Sequence, residues 1–229
     1  MRSSRFITMI VGLAVFVTRV GWVSAQDLDT LCPGIPWTSS ECTEAIERYY
    51  LERLENVVWR DGNRLLIRLS TGQVLVLRDS TSGDVSSVRH TYRAYLPCIQ
   101  RHVIQLHYYE GGSYLLVDAR SGKRDAVPGV PVVSPDSSRF VATSVDLEAQ
   151  YVPTTVQIWR VRDGDVELEW RFDPLKEYRA DPYNLWGPQA AEWVTPTMVR
   201  VRKKYIDRLG GYVTISLENG DWILRDPDA

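Results

Sequence analysis

Aromatic side chains are concentrated in one proline-containing segment, DPLKEYRADPYNLWGPQ, at residues 173–189. Its prolines exclude a helix interior or a central strand. Tyr178, Tyr183 and Trp186 offer rigid rings with a polar handle, which suit stacking on a sugar or anchoring a protein partner. We predict that this segment binds a ligand, since long insertions in compact β proteins often carry binding residues. The alternative, which stays open, is that the rings cover the edge of the core.

Two aspartates occupy equivalent places in two similar segments, and they are the natural candidates for a catalytic pair. Asp61 precedes Gly62, and Asp136 precedes Ser137. Glycoside hydrolysis uses two carboxylates at a defined separation. An aspartate at the start of a turn, however, commonly accepts amide hydrogen bonds from its own loop. We therefore predict a structural role for both and assign no catalytic residue.

Cysteine and histidine give no metal or nucleophile motif. Cys98 and His102 have an even spacing, which on a strand only places them on one side, so a structural role is favoured for Cys98. His102 and His107 are five apart and would point to opposite faces. We expect no metal ion and no cofactor, because phosphate-binding loops and calcium loops are also missing from the sequence.

Export is indicated by the amino end of the chain. Arg2 and Arg5 precede an uncharged run at residues 6–17, and small residues lead to Ala25. That run is shorter than the roughly 20 residues of a spanning helix, and the pattern is typical of a secretory signal peptide. We predict a secreted or periplasmic protein with a signal peptide at 1–25, an arm and helix at 26–55, a β domain at 56–229, and no stable membrane span after cleavage.

Composition narrows the partners and the redox state. The chain has 27 Lys and Arg against 29 Asp and Glu, without a basic stripe, which argues against nucleic acid. Its cysteines are Cys32, Cys42 and Cys98. In an oxidising compartment they predict one disulfide and one odd thiol. Cys32 and Cys42 would close the shortest loop, but Cys42 could equally meet Cys98.

One amphipathic helix is predicted before the β domain. Apolar residues recur at helical spacing over residues 40–55, with most of the charged residues on the other face. Thr38, followed three residues later by Glu41, resembles a capping box. We favour a helix packed on the β body over a partner-binding helix.

The rest of the chain repeats short strands joined by turns. Four hairpin-like segments end their turns at Gly83, Gly122, Gly164 and Gly220. Residues 57–70 align without gaps on residues 132–145, which pairs Asp61 with Asp136. The repeats predict four β-meander units at about 56–89, 90–128, 129–173 and 188–226.

The turn Ser134-Pro135-Asp136-Ser137, followed by a strand and a later Gly turn, resembles the repeat of TolB-type and WD-type β-propellers. Trp59-Arg60-Asp61-Gly62 is a partial match. The resemblance implies a propeller-like fold and a tendency to bind partners, without shared catalytic residues. We predict a mainly β protein of four propeller-like units, a small or incomplete propeller preceded by one helix, with a β-sandwich as the alternative.

These observations favour a non-enzymatic binding or scaffolding protein of the cell envelope. A binding module needs a shaped rim and exposed aromatic groups, whereas an enzyme needs a convergent set of titratable groups. We expect an envelope protein or a glycan as the partner. The alternative is a carbohydrate-acting protein, either glycoside hydrolase-like or glycan-binding.

Overall fold

The computed structural model describes residues 31–32, 34, 39–80, 87–177 and 185–227. The predicted signal peptide, the turn glycine Gly83 and the aromatic residues Tyr178 and Tyr183 lie outside these ranges. The described residues form fifteen strands, one long helix at the amino end and one short helix, Pro174–Glu177. Within them, no helix has the length and apolar character that crossing a bilayer requires.

The amino-terminal helix, Ser40–Arg53, is present where the sequence predicts it. Ser39 is its N-cap, and its hydroxyl accepts a hydrogen bond of 3.1 Å from the Cys42 amide. The expected cap, Thr38, lies outside the described residues. A disulfide joins Cys32 to Cys42, which decides the pairing that the sequence leaves open. Cys98 is the free cysteine.

Four antiparallel sheets follow the helix in chain order. The first contains β1 (Val58–Asp61), β2 (Arg64–Arg68) and β3 (Val74–Arg78). The second contains β4 (Arg89–Leu96), β5 (Arg101–His107), β6 (Gly112–Asp118) and β7 (Arg124–Val127). The third contains β8 (Val132–Val133), β9 (Arg139–Ser144), β10 (Thr155–Arg162) and β11 (Asp165–Phe172). The fourth contains β12 (Gly187–Thr195), β13 (Met198–Lys204), β14 (Leu209–Glu218) and β15 (Asp221–Arg225).

Each sheet is a meander in which consecutive strands are neighbours, so the predicted mainly β architecture of four units is confirmed. Among the described residues, the first unit has three strands, and an isolated bridge between Ser80 and Val88 precedes β4. The architecture is four separate sheets, not the two facing sheets of the sandwich alternative.

The two segments that align in sequence, residues 57–70 and 132–145, form the first two strands of their respective sheets. The two aligned segments form β1–β2 of the first sheet and β8–β9 of the third. Leu65 and Phe140, which the alignment pairs, are both fully buried. Three predicted turn glycines have positive φ angles, namely 73° at Gly122, 85° at Gly164 and 98° at Gly220. Because L side chains rarely adopt that conformation, glycine marks the equivalent hairpin of each of these units.

Three apolar clusters join the sheets in sequence. The first packs the amino-terminal helix and the first sheet against the second sheet. Another lies between the second and third sheets, and the last lies between the third and fourth. Among the described residues no buried cluster joins the first sheet to the fourth. In the described part of the chain, the three clusters link the sheets in chain order.

The outer edge of β4 is closed by side chains from other elements. Asp79 accepts hydrogen bonds from the backbone amide of His90 at 2.8 Å and from its ring Nδ1 at 3.0 Å. Glu47, on the helix, accepts the amide of Tyr92 at 2.8 Å. Arg60 donates to the His90 carbonyl and bridges both carboxylates at 3.0 Å. These side chains do for β4 what a neighbouring strand would otherwise do.

Electrostatics supports this arrangement. Burial alone would lower the pKa of Arg60, but its hydrogen bonds and charge interactions with Glu47 and Asp79 outweigh burial and hold that pKa above its ordinary value. Both carboxylates are buried. Each carboxylate thus has an ion pair with Arg60 and a hydrogen bond from a β4 amide, and such bonds are the condition under which buried charges are tolerated.

We expect Arg60→Ala to lower the free energy of unfolding by about 3 kcal/mol, because it leaves two buried carboxylates unpaired. The matched control is Arg64→Ala, whose ion pair with Asp61 is exposed and should contribute less than about 1 kcal/mol. Urea denaturation at neutral pH measures both. Equal losses for the two variants would contradict the role of Arg60.

Candidate functional site

A polar cleft of about 690 Å³ lies where turns of the first three sheets converge. The β2–β3 turn contributes Thr71, and the β4–β5 turn contributes Cys98 and Gln100. The β6–β7 turn and the β10–β11 hairpin complete the lining, with Asp118, Arg120, Ser121, Asp163, Gly164 and Asp165. We call this the turn-end cleft. Most of its lining residues have polar side chains.

The wall of the cleft is built on a buried ion pair between Arg101 and Asp118. Arg101 begins β5 and is fully buried, and it also donates to the Gly164 carbonyl of the third sheet. The other oxygen of Asp118 accepts the amides of Arg120 at 3.0 Å and of Ser121 at 2.6 Å. Asp118 therefore shapes its own turn and anchors Arg101 at the same time.

Further bonds hold the turns of the three sheets together. The Ser70 amide donates to the Ala119 carbonyl at 2.8 Å, and the Ala119 amide donates to the Gln100 carbonyl at 3.0 Å. Lys123 pairs with Asp165 across the second and third sheets at 2.7 Å. The cleft is consequently a surface fixed by contacts between units, although its residues come from turns.

Two ion pairs, Arg101 with Asp118 and Lys123 with Asp165, lie in or beside the cleft. Burial lowers the pKa of Arg101, and the negative charges of Asp125 and Asp165 oppose that shift. The hydrogen bond and charge of Lys123 lower the pKa of Asp165. Among the described carboxyl groups, each pKa that departs from its ordinary value is lowered. These carboxylates are suited to accepting hydrogen bonds in their ionised form.

Asp61 and Asp136, which the sequence alignment pairs, have different hydrogen-bond partners. Asp136 accepts hydrogen bonds from Ser134 Oγ at 2.7 Å and from the Ser138 amide at 3.1 Å. Partial burial would raise the pKa of Asp136, but these bonds outweigh it and lower the pKa. Asp61 instead makes an exposed ion pair with Arg64. The turn role is observed for Asp136, while Asp61 contacts a side chain.

Cys98 lines the turn-end cleft and is exposed. His102 is buried, and its Nδ1 lies 2.8 Å from the Tyr92 hydroxyl. Burial lowers the pKa of His102 to about 4. His102 therefore acts as a core residue bonded to Tyr92. The described ranges contain no group of three His, Cys, Asp or Glu side chains that could hold a metal.

Of the three aromatic residues predicted to bind a ligand, Trp186 alone is described. It is 1% exposed and stacks on Phe172, with ring centroids 5.9 Å apart. It belongs to the cluster between the third and fourth sheets, which is the placement that the core-cover alternative describes. Tyr178 and Tyr183 lie outside the described residues, so binding through them stays a prediction.

Sequence reasoning did not find the turn-end cleft. Its lining comes from segments separated by up to about ninety residues, none of which carries a known motif. The turn glycines Gly122 and Gly164 are the sequence feature that could have indicated the cleft. They occupy equivalent positions in two successive units, which predicts that their hairpin turns lie at the same end of neighbouring sheets.

No protein-family model matches the chain, and no curated protein matches it. Solved structures give weak likenesses, each with a TM-score of 0.37 over 73% of this chain. One is a chain from an S. cerevisiae structure of Dbp5 bound to Nup159, Gle1, IP6 and ADP, at 13% identity and 46% of that chain. A second is the N-terminal domain of Nup159, at 12% identity and 46% of that chain. The third is a Bacteroides fragilis protein described as a 6-phosphogluconolactonase, at 10% identity and 55% of that chain.

The chain thus spans about half the length of these structures. At such low similarity none of them carries an argument about what this protein binds or does.

Because Trp186 is buried, truncating its side chain should lower the stability of the protein. We expect Trp186→Ala to lower the free energy of unfolding by about 3 to 5 kcal/mol, the loss typical of a buried large aromatic residue. Val194→Ala is the control, since Val194 is 54% exposed and should change stability by less than about 0.5 kcal/mol. Chemical denaturation measures both. A Trp186→Ala protein of normal stability would show that the ring is not part of the core.

His102 should make stability depend on pH. Its pKa is about 4 in the folded protein against 6.5 as the ordinary value. Between these values the unfolded chain binds a proton that the folded protein does not. Stability should therefore fall by roughly 3 kcal/mol as pH drops from 6.5 to 4.

Denaturation midpoints from pH 7.5 to 4.5 test this expectation. His102→Gln keeps a group that can bond the Tyr92 hydroxyl but does not titrate, so its curve should be flatter in this window. Identical slopes for the two proteins would show that other groups carry the pH dependence.

Proposed function

We propose that the protein is a non-enzymatic binding or scaffolding protein of the cell envelope and that the turn-end cleft is its binding surface. The observation that carries this proposal is the cleft itself, a concave polar surface whose walls come from three sheets. Its size falls within the range typical of ligand sites. Because contacts between sheets hold the turns in place, a ligand would not have to order them, and preorganisation of this kind favours binding.

Charge pairing in the cleft suits binding better than hydrolysis. Asp118 is committed to Arg101 and to its own turn, and Asp165 is paired with Lys123. A general acid in glycoside hydrolysis requires a carboxyl group with a raised pKa. Arg120, Gln100 and Asp163 are exposed at the cleft and remain able to meet a partner.

Location in the envelope has two independent supports. The amino end has the charge, apolar run and small residues of a signal peptide. The Cys32–Cys42 disulfide fits an oxidising compartment, because such bonds rarely persist in the cytosol. We propose an exported protein whose partner is an envelope protein, with an envelope glycan as the alternative.

Cys98 provides a direct test, because it is a free thiol at the cleft. The test attaches a maleimide-benzophenone to the Cys98 thiol and irradiates the labelled protein together with the native envelope fraction. The protein should form one discrete photoadduct. The control is the double variant Cys98→Ser, Asp207→Cys, which places the thiol on the fourth sheet. The side chain of Asp207 is 72% exposed. Charge reversal by Arg120→Glu should reduce the adduct from Cys98 without changing the melting temperature.

A protein adduct specific to Cys98 supports the proposed scaffold. An adduct that glycan-degrading enzymes remove favours the glycan alternative. If neither forms, or if both label positions give the same products, the cleft is not the binding surface.

A further inference from the structure

One face of strands β4 and β5 is polar although much of it is buried. Thr91 is 1% exposed, Arg93 is 9% exposed, and Gln105 and His107 are half-buried. Thr91 lies directly opposite Gln105, while Arg89 lies opposite His107. Directly opposed residues on one face of an antiparallel pair approach to about 5 Å at Cβ. We call Thr91, Arg93, Gln105 and His107 the polar patch.

Arg93 belongs to this patch through a bulge. The register of β4 against β5 shifts between Tyr92 and Ala94, which leaves Arg93 as the extra residue. Bulges commonly redirect a side chain. Burial raises the pKa of Tyr114, and the charge of Arg93 opposes that rise. Burial and the charges of Arg89 and Arg93 lower the pKa of His107, and the charges of Glu47 and Asp79 oppose that shift.

Four buried atoms of the polar patch have no hydrogen-bond partner among the described residues. They are Thr91 Oγ1, Arg93 Nη1, Gln105 Oε1 and His107 Nε2. Buried polar atoms are nearly always bonded, and leaving one unbonded is costly. The four atoms belong to neighbouring positions of two adjacent strands.

The charge of Arg93 is more informative than the missing hydrogen bonds. Arg60 and Arg101 are also buried or half-buried, and each is paired with carboxylates. Within the described part of the chain, Arg93 has no carboxylate partner, and the groups that favour its charged form are the hydroxyls of Tyr114 and Tyr50. Burial correspondingly lowers the pKa of Arg93. Water could bond Thr91 and Gln105, but it would not neutralise a guanidinium.

We propose that the polar patch binds a small ligand that carries an oxyanion and a hydroxyl group. Arg93 and the Thr91 hydroxyl donate to the oxyanion, which supplies the missing negative charge. Gln105 Oε1 accepts from the ligand hydroxyl, and His107 Nε2 completes the contacts. This site lies on the face of the second sheet, is separate from the turn-end cleft, and stands or falls independently of the function proposed for that cleft.

The test measures melting temperature and isothermal titration with lactate, acetate and inorganic phosphate, each at ionic strength matched with sodium chloride. The intact protein should be stabilised in a concentration-dependent manner, and lactate should exceed acetate because only lactate carries a hydroxyl. Arg93→Met should weaken binding roughly ten- to a hundredfold, the loss expected for a hydrogen bond to a charged group.

Arg93→Met also has a second readout in the ligand-free protein. Removing an unpaired buried charge while keeping a side chain of similar length should raise the melting temperature. A merely structural arginine would give the opposite sign. Arg124→Met is the matched control, because Arg124 is an exposed residue of the same sheet and should change neither property.

Stabilisation by phosphate alone that Arg93→Met abolishes would support the oxyanion site and identify phosphate as its ligand. The proposal is overturned if none of the three anions stabilises the protein. It is also overturned if Arg93→Met responds as the parent protein does, or if that variant melts at a lower temperature without ligand.

Discussion

The free edge of β4 is closed by charged side chains, and the amino-terminal half of the molecule depends on this closure. Asp79 and Glu47 accept the amides that face outward from β4, and Arg60 holds the two carboxylates together. The three side chains come from the end of the first sheet, the helix and β1. One ionic network therefore fixes three elements against β4, the edge strand of the second sheet, where apolar contacts alone would leave backbone amides without partners.

At the other end of the second sheet, a different set of contacts joins it to the third sheet. There Arg101 reaches from β5 to Asp118 of its own sheet and to the Gly164 carbonyl of the third sheet. Turns, which would otherwise be mobile, are thereby fixed where they meet. The concave surface of the turn-end cleft is thus a by-product of the contacts that hold the first three sheets in series.

Buried arginines consequently divide into two kinds in this protein. Arg60 and Arg101 are paired and stabilise the connections between units. Arg93 lies at a bulge without a carboxylate partner, and its buried Nη1 has no hydrogen-bond partner among the described residues. Since proteins commonly retain locally unfavourable groups where a ligand must be met, this difference is the basis for proposing a ligand site at Arg93.

The sequence by itself determined the secondary structure and its repetition, because alternating apolar residues and turn glycines are local signals that strand geometry requires. The helix near residues 40–55, the four units and the turn role of Asp136 were all accessible in this way. Tertiary structure alone decided that Cys32 pairs with Cys42, that Trp186 is buried, and that Arg60, Arg93 and Arg101 have different environments. Those properties depend on which distant segments meet, and a local pattern of residue types contains no information about the neighbours that packing brings to each side chain.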